Sequence, residues 1–290
     1  MNLPLTPKRT STVPADEAGP YDPSQGIEGP IDQWCQFNLK TASDQDRKYL
    51  APFPPPALML DTSALTENKD FAAHGVALLQ ALTRASPIPL AAAGSILDFG
   101  IGVGRLARMF KGFRGRYVGV DIDNRNIDWL NKAMPEIEAV RTVPHAPLPF
   151  ADGTFEVVIG LSVFTHLNRA DHLFYLDELR RVVRPGGYVL LSVHGERALA
   201  RAATEDRIFR MLSIKHSDIE QARASYNRHD GFHFVRQPGH LSTAKYDYGM
   251  TFISAEYVER VWSGFFDVLD IKTGAIHNFQ DLVVMQKRTL

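Results

Sequence analysis

Asp98, Gly100, Gly102 and Gly104 alternate with apolar residues just after the pair Ile96-Leu97, and lead into Arg105–Phe110. That last stretch reads as the first turns of a helix. Glycines let a backbone turn tightly and approach a ligand closely. Unpaired N–H groups at a helix start face a polar or anionic group. A second acid, Asp121, ends the next apolar segment, Tyr117–Val120. In nucleotide-binding α/β folds an acid at that place accepts hydrogen bonds from ribose hydroxyls, and a carboxylate has lone pairs enough for a cis-diol. Three histidines, His166, His194 and His277, fall at the edges of expected strands. A neutral imidazole can take a proton near neutral pH; each of the three equally suits a structural or substrate-binding place.

These residues need elements to hold them. The spacing predicts a helix over Thr66–Thr83, with Phe71, Leu78, Leu79 and Leu82 on one face, and a strand over Ser95–Phe99. Strands follow at Tyr117–Asp121, Glu138–Val143, Phe155–Ser162, Tyr188–Val193, Phe266–Ile271 and Asp281–Gln286, with helices over Asp123–Met134, Asn168–Val183 and Ser254–Ser263. Strands alternating with helices argue for a parallel α/β sheet. In such a sheet the carboxyl ends of the strands edge the ligand crevice, so the three histidines map to that side.

Residues 1–50 differ from the rest, being rich in proline and polar side chains without a period. We expect a tail there, largely disordered over 1–25, although Trp34, Phe37 and Tyr49 give part of it something to pack. Phe53-Pro54-Pro55-Pro56 reads either as a stiff linker or as a strap beside the site. The main domain is then 51–290. Glu196–Met250 interrupts the α/β rhythm as an insertion with one or two helices. It is expected to fold over the crevice and bring Tyr246 and Tyr248 to an acceptor.

Composition narrows the function classes. Hydrophobic residues are 44% of 290, enough for a sizeable core. The net charge of −1 gives no bulk electrostatic case for nucleic acid or anionic membrane as partner. The single Cys35 excludes disulfide frameworks and cysteine-rich zinc sites. His229 and His233 are four apart with His240 nearby, but Asp230-Gly231 reads as a turn, so no metal site is assigned. The longest apolar stretch, Ile88–Val103, is broken by Asp98, and the start of the sequence lacks the apolar core of a signal peptide, so a cytoplasmic protein is expected.

The pattern Asp98-x-Gly100-x-Gly102-x-Gly104 resembles motif I of the class I S-adenosylmethionine-dependent methyltransferases. Leu148-Pro149-Phe150, Asp152 and Phe155-Glu156 resemble that family's LPF-x-D-x-x-F-D signature, with Glu156 for the usual Asp, and Arg184-Pro185-Gly186-Gly187 resembles its P-G-G turn. The resemblance covers about residues 66–290. It implies a Rossmann-like, seven-stranded, mostly parallel sheet of order 3-2-1-4-5-7-6 with the seventh strand antiparallel and helices on both faces. It further implies S-adenosylmethionine as cofactor, held at Gly100–Gly104. Asp121 would then lie on the ribose, Ile122 on adenine, and Asp98 near the methionine amino group. Leu161–His166, Ser162 included, would line the methionine end. Many relatives carry an acid where this sequence has Pro144, which leaves adenine recognition to backbone around Val143–Ala146, His145 included. Arg105 is then either a helix-pairing residue or a contact for the donor's carboxylate. The segment Ser162–Leu167, the stretch Ser192–Gly195 and His277-x-x-Gln280-Asp281 together resemble one bacterial subgroup that accompanies sugar, polysaccharide and secondary-metabolite synthesis.

The expected function is methyl transfer to a small-molecule acceptor, at oxygen in preference to nitrogen or carbon. His166 ranks ahead of His194 and His277 as the base, and Asp281 could orient one of them. A non-catalytic domain that binds the donor and regulates a partner shares the same motifs. A nicotinamide-dependent oxidoreductase fits less well: G-x-G-x-x-G fails at Arg105 in one register and passes only in its weaker form, at Ala107, in the other. A nucleic-acid methyltransferase lacks its N/D-P-P-Y/F tetrapeptide here.

Overall fold

The computed structural model of the chain describes residues 21–40, 46–228, 230–237 and 247–289. In chain order the helices are α1 (Ile31–Leu39), α2 (Pro56–Ser63), α3 (Asn68–Ala85), α4 (Asn124–Ala133), α5 (Arg169–Val182), α6 (Glu196–Thr204), α7 (Asp206–Leu212), α8 (His216–Asn227) and α9 (Ala255–Val261). The strands are β1 (Ser95–Phe99), β2 (Arg116–Asp121), β3 (Glu138–Arg141), β4 (Phe155–Gly160), β5 (Val183–Val193), β6 (Phe232–Arg236), β7 (Gly249–Ile253), β8 (Asp267–Ile276) and β9 (Gln280–Gln286).

Seven strands form one sheet in the order β3-β2-β1-β4-β5-β9-β8. β1 to β5 pair in parallel, and β9 is antiparallel to both its neighbours. With the separate β6–β7 ribbon left out, this is the expected 3-2-1-4-5-7-6 order. The central strands are apolar on both faces because helices cover both. Successive side chains of β1 enter opposite layers. Ile96 belongs to the buried cluster that includes Leu79, Leu82 and Leu130 from α3 and α4, while Leu97 belongs to the cluster with Leu176, Leu179 and Trp262 from the α5 and α9 side. The LPF signature is tied down from α5. Glu178 Oε2 accepts from the Leu148 amide at 2.7 Å, and Arg181 donates to the carbonyls of Leu148 and Phe150 at 2.9 and 2.7 Å.

Four features depart from the sequence reading. The stretch assigned to a tail anchors on the core from Tyr21 on, earlier than the packing expected around Trp34 and Phe37, with Ile27, Trp34 and Cys35 buried. Trp34 is fully buried and its indole donates to the Met109 carbonyl at 2.7 Å. A few apolar residues spaced along a polar, proline-rich segment supply that anchorage; residues 1–20 lie outside those described. The expected helix after the glycines is a single irregular turn. Arg108 N bonds Gly104 O at 3.0 Å, then Ala107–Phe110 tightens to a 3-10 turn. Gly112, at φ +84°, ends it before a second turn can form, so it is too short to act as a helix terminus toward a ligand. Pro56 opens α2 at its first position, where proline is pre-organised for a helix; the segment read as linker or strap therefore continues as a helix. Among its described residues the insertion holds three helices and leads into the β6–β7 ribbon, with an apolar cluster around Leu199, Leu212, Ile219 and Phe252. Among the described residues no helix is long and apolar enough to cross a membrane.

Candidate active site

The carboxyl end of β1 turns through Gly100, Gly102 and Gly104, at φ +80°, +56° and +80°. Only glycine takes that region without strain. Space forbids a side chain as well: a Cβ at Gly100 would sit 2.3 Å from Val163 Cγ2, and one at Gly102 2.7 Å from Thr62 Cγ2. The loop hangs on β2 through Gly100 N and Ile101 N, both donating to the Val120 carbonyl at 2.9 and 3.0 Å.

Asp121, at the end of β2, faces this loop. Its Oδ2 accepts from Gly102 N and its Oδ1 from Asp123 N, each at 2.8 Å. The Asn126 side chain is a third donor to this carboxylate, which still has acceptor capacity for a ligand. Burial raises its pKa, against the pull of those backbone donors. Asp98, 3% exposed, accepts from the Tyr117 hydroxyl at 2.8 Å. Desolvation pushes its pKa up to about 7, with Asp121 adding to the effect and Tyr117 opposing it.

Asp98, Gly100–Val103, Asp121, Ile122, Ser162 and His166 line one cavity of about 250 Å³, whereas Gly104 is not in its wall and packs toward Leu130 of α4. The strand order makes this a topological switch point, since β1 leads to β2 on one side and its other neighbour is β4. Ser162 has φ +58° and shares hydrogen bonds with Gln280 at 3.0–3.1 Å. His166 donates from Nδ1 to the Gly249 carbonyl at 2.8 Å, and its ring stacks on Tyr248 at 4.6 Å between centroids. Tyr248 precedes β7, which crosses the strand exits: Thr251 N bonds Thr165 O and Ile253 N bonds His194 O, both at 2.9 Å. The insertion thus supplies cavity wall. Tyr246, also expected there, lies outside the described residues, as do His229 and His240.

Other expected residues stand elsewhere. His194 is 3% exposed, sits against Phe252 and Phe279 off the cavity wall, and burial lowers its pKa to about 3. A strand-end position fixed its edge but not its depth, and the aromatic rings enclosing it come from distant sequence. His277 occupies the first left-handed position of the β8–β9 hairpin turn, at φ +54°, and packs on His74 at 4.3 Å. Asp281 orients none of the three: its Oδ1 accepts from Gly274 N at 2.7 Å. The His145 ring turns outward to Asp171, at 2.5 Å, and is not part of the cavity wall. Its backbone stands in the left-handed region, at φ +61°. His233 lies on β6, and no cluster of metal-binding side chains occurs among the described residues.

Sequence reasoning missed α2. Asp61, Thr62 and Ser63 line the cavity, with Thr62 set against Gly102 of the glycine loop. Asp61 pairs with Arg125 at 2.7 Å, and Thr62 Oγ1 reaches Asn126 at 3.4 Å. The available signal was Pro56 followed by Ala-Leu-Met-Leu, a helix start.

Comparison with known proteins adds the following. Residues 97–191 match the model of a methyltransferase domain. An uncharacterized methyltransferase of Mycobacterium leprae is 30% identical over 149 residues, half of each chain. The 2-methyl-6-phytyl-1,4-hydroquinone methyltransferase of Synechocystis is 25% identical over 180 residues, 61% of this chain and 54% of that one. The chain spans about half the length of the curated relatives it matches. In structure it resembles a protein of Pyrococcus horikoshii, with a TM-score of 0.57 at 18% identity over 79% of this chain and 96% of that one.

Proposed function

We propose that the chain, whose residues 97–191 match the model of a methyltransferase domain, is a class I, S-adenosylmethionine-dependent enzyme that methylates a hydroxyl of a small-molecule acceptor. The subgroup of sugar, polysaccharide and secondary-metabolite enzymes stays the favoured source of that acceptor. The Synechocystis relative, named for a hydroquinone, is consistent with an oxygen-bearing small molecule without specifying this one.

The cavity residues fit the donor. Glycines at positive φ let the loop backbone line the cavity with no side chain in the way, and the Asp121 carboxylate keeps acceptor capacity beside it for a ribose hydroxyl. Ile122 supplies an apolar face beside it for adenine. When bound, S-adenosylmethionine supplies a methyl group already activated by its sulfonium. The protein then has to align the acceptor oxygen with the methyl carbon and the leaving sulfur. His166 Nε2, the ring nitrogen that carries the lone pair, would take the hydroxyl proton as the methyl group is accepted and pass it on to solvent.

The observation that carries this reading is the His166–Gly249 hydrogen bond. A carbonyl only accepts, so Nδ1 bears the proton and Nε2 of the neutral ring bears the lone pair. That nitrogen sits 3.4 Å from the Tyr248 hydroxyl at the cavity wall. The test incubates the protein with methyl-labelled S-adenosylmethionine and a small-molecule extract, then follows label by mass spectrometry. Transfer that is lost in His166→Ala supports the reading. Saturable donor binding with no transfer to any fraction would favour the non-catalytic regulator instead.

A further inference from the structure

Ser162 stands in the left-handed region, at φ +58°, where residues other than glycine rarely rest. Such a conformation persists only where the surroundings over-determine it. Here they act from two strands. Ser162 N donates to Ser192 Oγ at 2.7 Å, near the end of β5, and Ser192 is fully buried. Ser162 Oγ donates to Gln280 Oε1 at 3.1 Å and accepts from Gln280 Nε2 at 3.0 Å. Gln280 is the first residue of β9, and its neighbour Asp281 pairs with Val193 of β5. The amide therefore reaches Ser162 from a rigid element.

The turn that Ser162 opens carries the reactive side of the cavity. Val163 sets its Cγ2 against Gly100 of the glycine loop. The Val163 carbonyl accepts from His166 N at 2.9 Å. The His166 carbonyl accepts from Gly249 N at 3.2 Å, while the His166 ring donates to the Gly249 carbonyl. A change of φ at Ser162 would swing Val163 off Gly100 and move the backbone from which His166 projects. Ser162, Val163 and His166 line the cavity; Gln280 is half-buried and does not, so it acts on the chemistry through Ser162.

We propose that Gln280 is a positioning residue, whose two hydrogen bonds hold Ser162 left-handed and thereby set the His166 ring in place for proton transfer. The inference rests on the reading of His166 as the base. Without the amide, the Ser162 backbone keeps one of its two restraints, the bond to Ser192. Glycine at 162 would need neither, because it takes positive φ without strain.

The test is a double-mutant cycle on Gln280→Leu and Ser162→Gly, with two readouts on proteins that circular dichroism shows to be folded. One is the ring tautomer of His166, from long-range ¹H–¹⁵N NMR of the unliganded protein, its signals assigned by their loss in His166→Ala. The other is label transfer from methyl-labelled S-adenosylmethionine to the small-molecule extract. Gln280→Leu should move the His166 signals from the Nδ1–H tautomer toward a mixture and lower transfer roughly tenfold or more. Gln280→Glu, which still accepts from Ser162 Oγ, should restore part of both. In the Ser162→Gly background, whatever that change costs by itself, Gln280→Leu should cost less than about a further twofold and leave the tautomer as it finds it. Equal effects of Gln280→Leu in both backgrounds, or none in wild type, overturn the proposal. Should wild type transfer no label, or His166→Ala transfer it as wild type does, the base reading fails by itself, and the tautomer cycle still decides whether Gln280 holds the ring.

Discussion

His166 Nδ1 and the Gly249 carbonyl lie 2.8 Å apart, so the start of β7 fixes the tautomer of a ring at the exit of β4. The ring is further oriented by stacking on Tyr248. A base acting on a hydroxyl contributes about 10²–10⁴ in rate. His166→Ala should therefore lower kcat by about that factor, with donor affinity unchanged by calorimetry. A fall of only a few-fold would reduce His166 to positioning.

Asp121 does two things at once. It offers lone pairs to the cavity and holds the glycine loop through Gly102 N at 2.8 Å. Charge-assisted hydrogen bonds are worth about 1.5–3 kcal/mol. Asp121→Ala should therefore weaken S-adenosylhomocysteine by roughly 10- to 150-fold, read by calorimetry on protein whose circular dichroism is unchanged. Donor affinity equal to wild type would remove Asp121 from the ribose.

The parts legible in sequence were those written locally. Glycine spacing announced the positive-φ loop because each glycine answers its own backbone geometry. Asp121 was legible because an acid ending an apolar strand has a fixed place relative to that loop. Apolar runs and their order gave the sheet. What stayed hidden depends on distant partners. Thr62 and Asp61 meet the cavity only because α2 docks on the start of α4. His194 was placed at the correct edge, yet Phe252 and Phe279 enclose it. Arg105 carried two readings, and its sequence neighbours could not reveal that its polar contact among the described residues is His74 of α3.

Arg181 separates structure from chemistry within the LPF signature. Its guanidinium bonds the Leu148 and Phe150 carbonyls, Asp152 and Glu178, and the Glu178 carboxyl is held below its ordinary pKa chiefly by Arg181. None of Arg181, Glu178 and Asp152 lines the cavity. Arg181→Ala should lower unfolding free energy by about 1.5–3 kcal/mol in urea titrations, with S-adenosylhomocysteine affinity kept at temperatures where the variant is folded. A selective loss of affinity at full stability would move this motif into the site.

The last prediction concerns Asp98, whose burial raises its pKa from 3.8 to about 7. The folded carboxyl binds its proton more tightly than the unfolded one. Below pH 4 both states are protonated, and the full contribution to stability is present. Between pH 4 and 7 the unfolded chain has released a proton that the folded one retains, so folding stability falls as pH rises. The slope from one such group reaches at most about 1.4 kcal/mol per pH unit, and it vanishes above pH 7, where both states are ionised. Other buried acids titrate in the same range, Asp281 at about 6 among them, so the informative quantity is the difference from Asp98→Asn. Stability of wild type minus that of Asp98→Asn, from urea unfolding at pH 4 to 7.5, should decline across the window and level off beyond it. A difference that stays constant would mean that Asp98 is ionised throughout. The same proton reports on the donor. An ammonium brought near Asp98 favours the carboxylate, so S-adenosylhomocysteine binding at pH 6 should release a proton from wild type. Calorimetry in two buffers of different ionisation enthalpy measures that release, and Asp98→Asn should abolish it. Equal proton release in both proteins would separate Asp98 from the amino group.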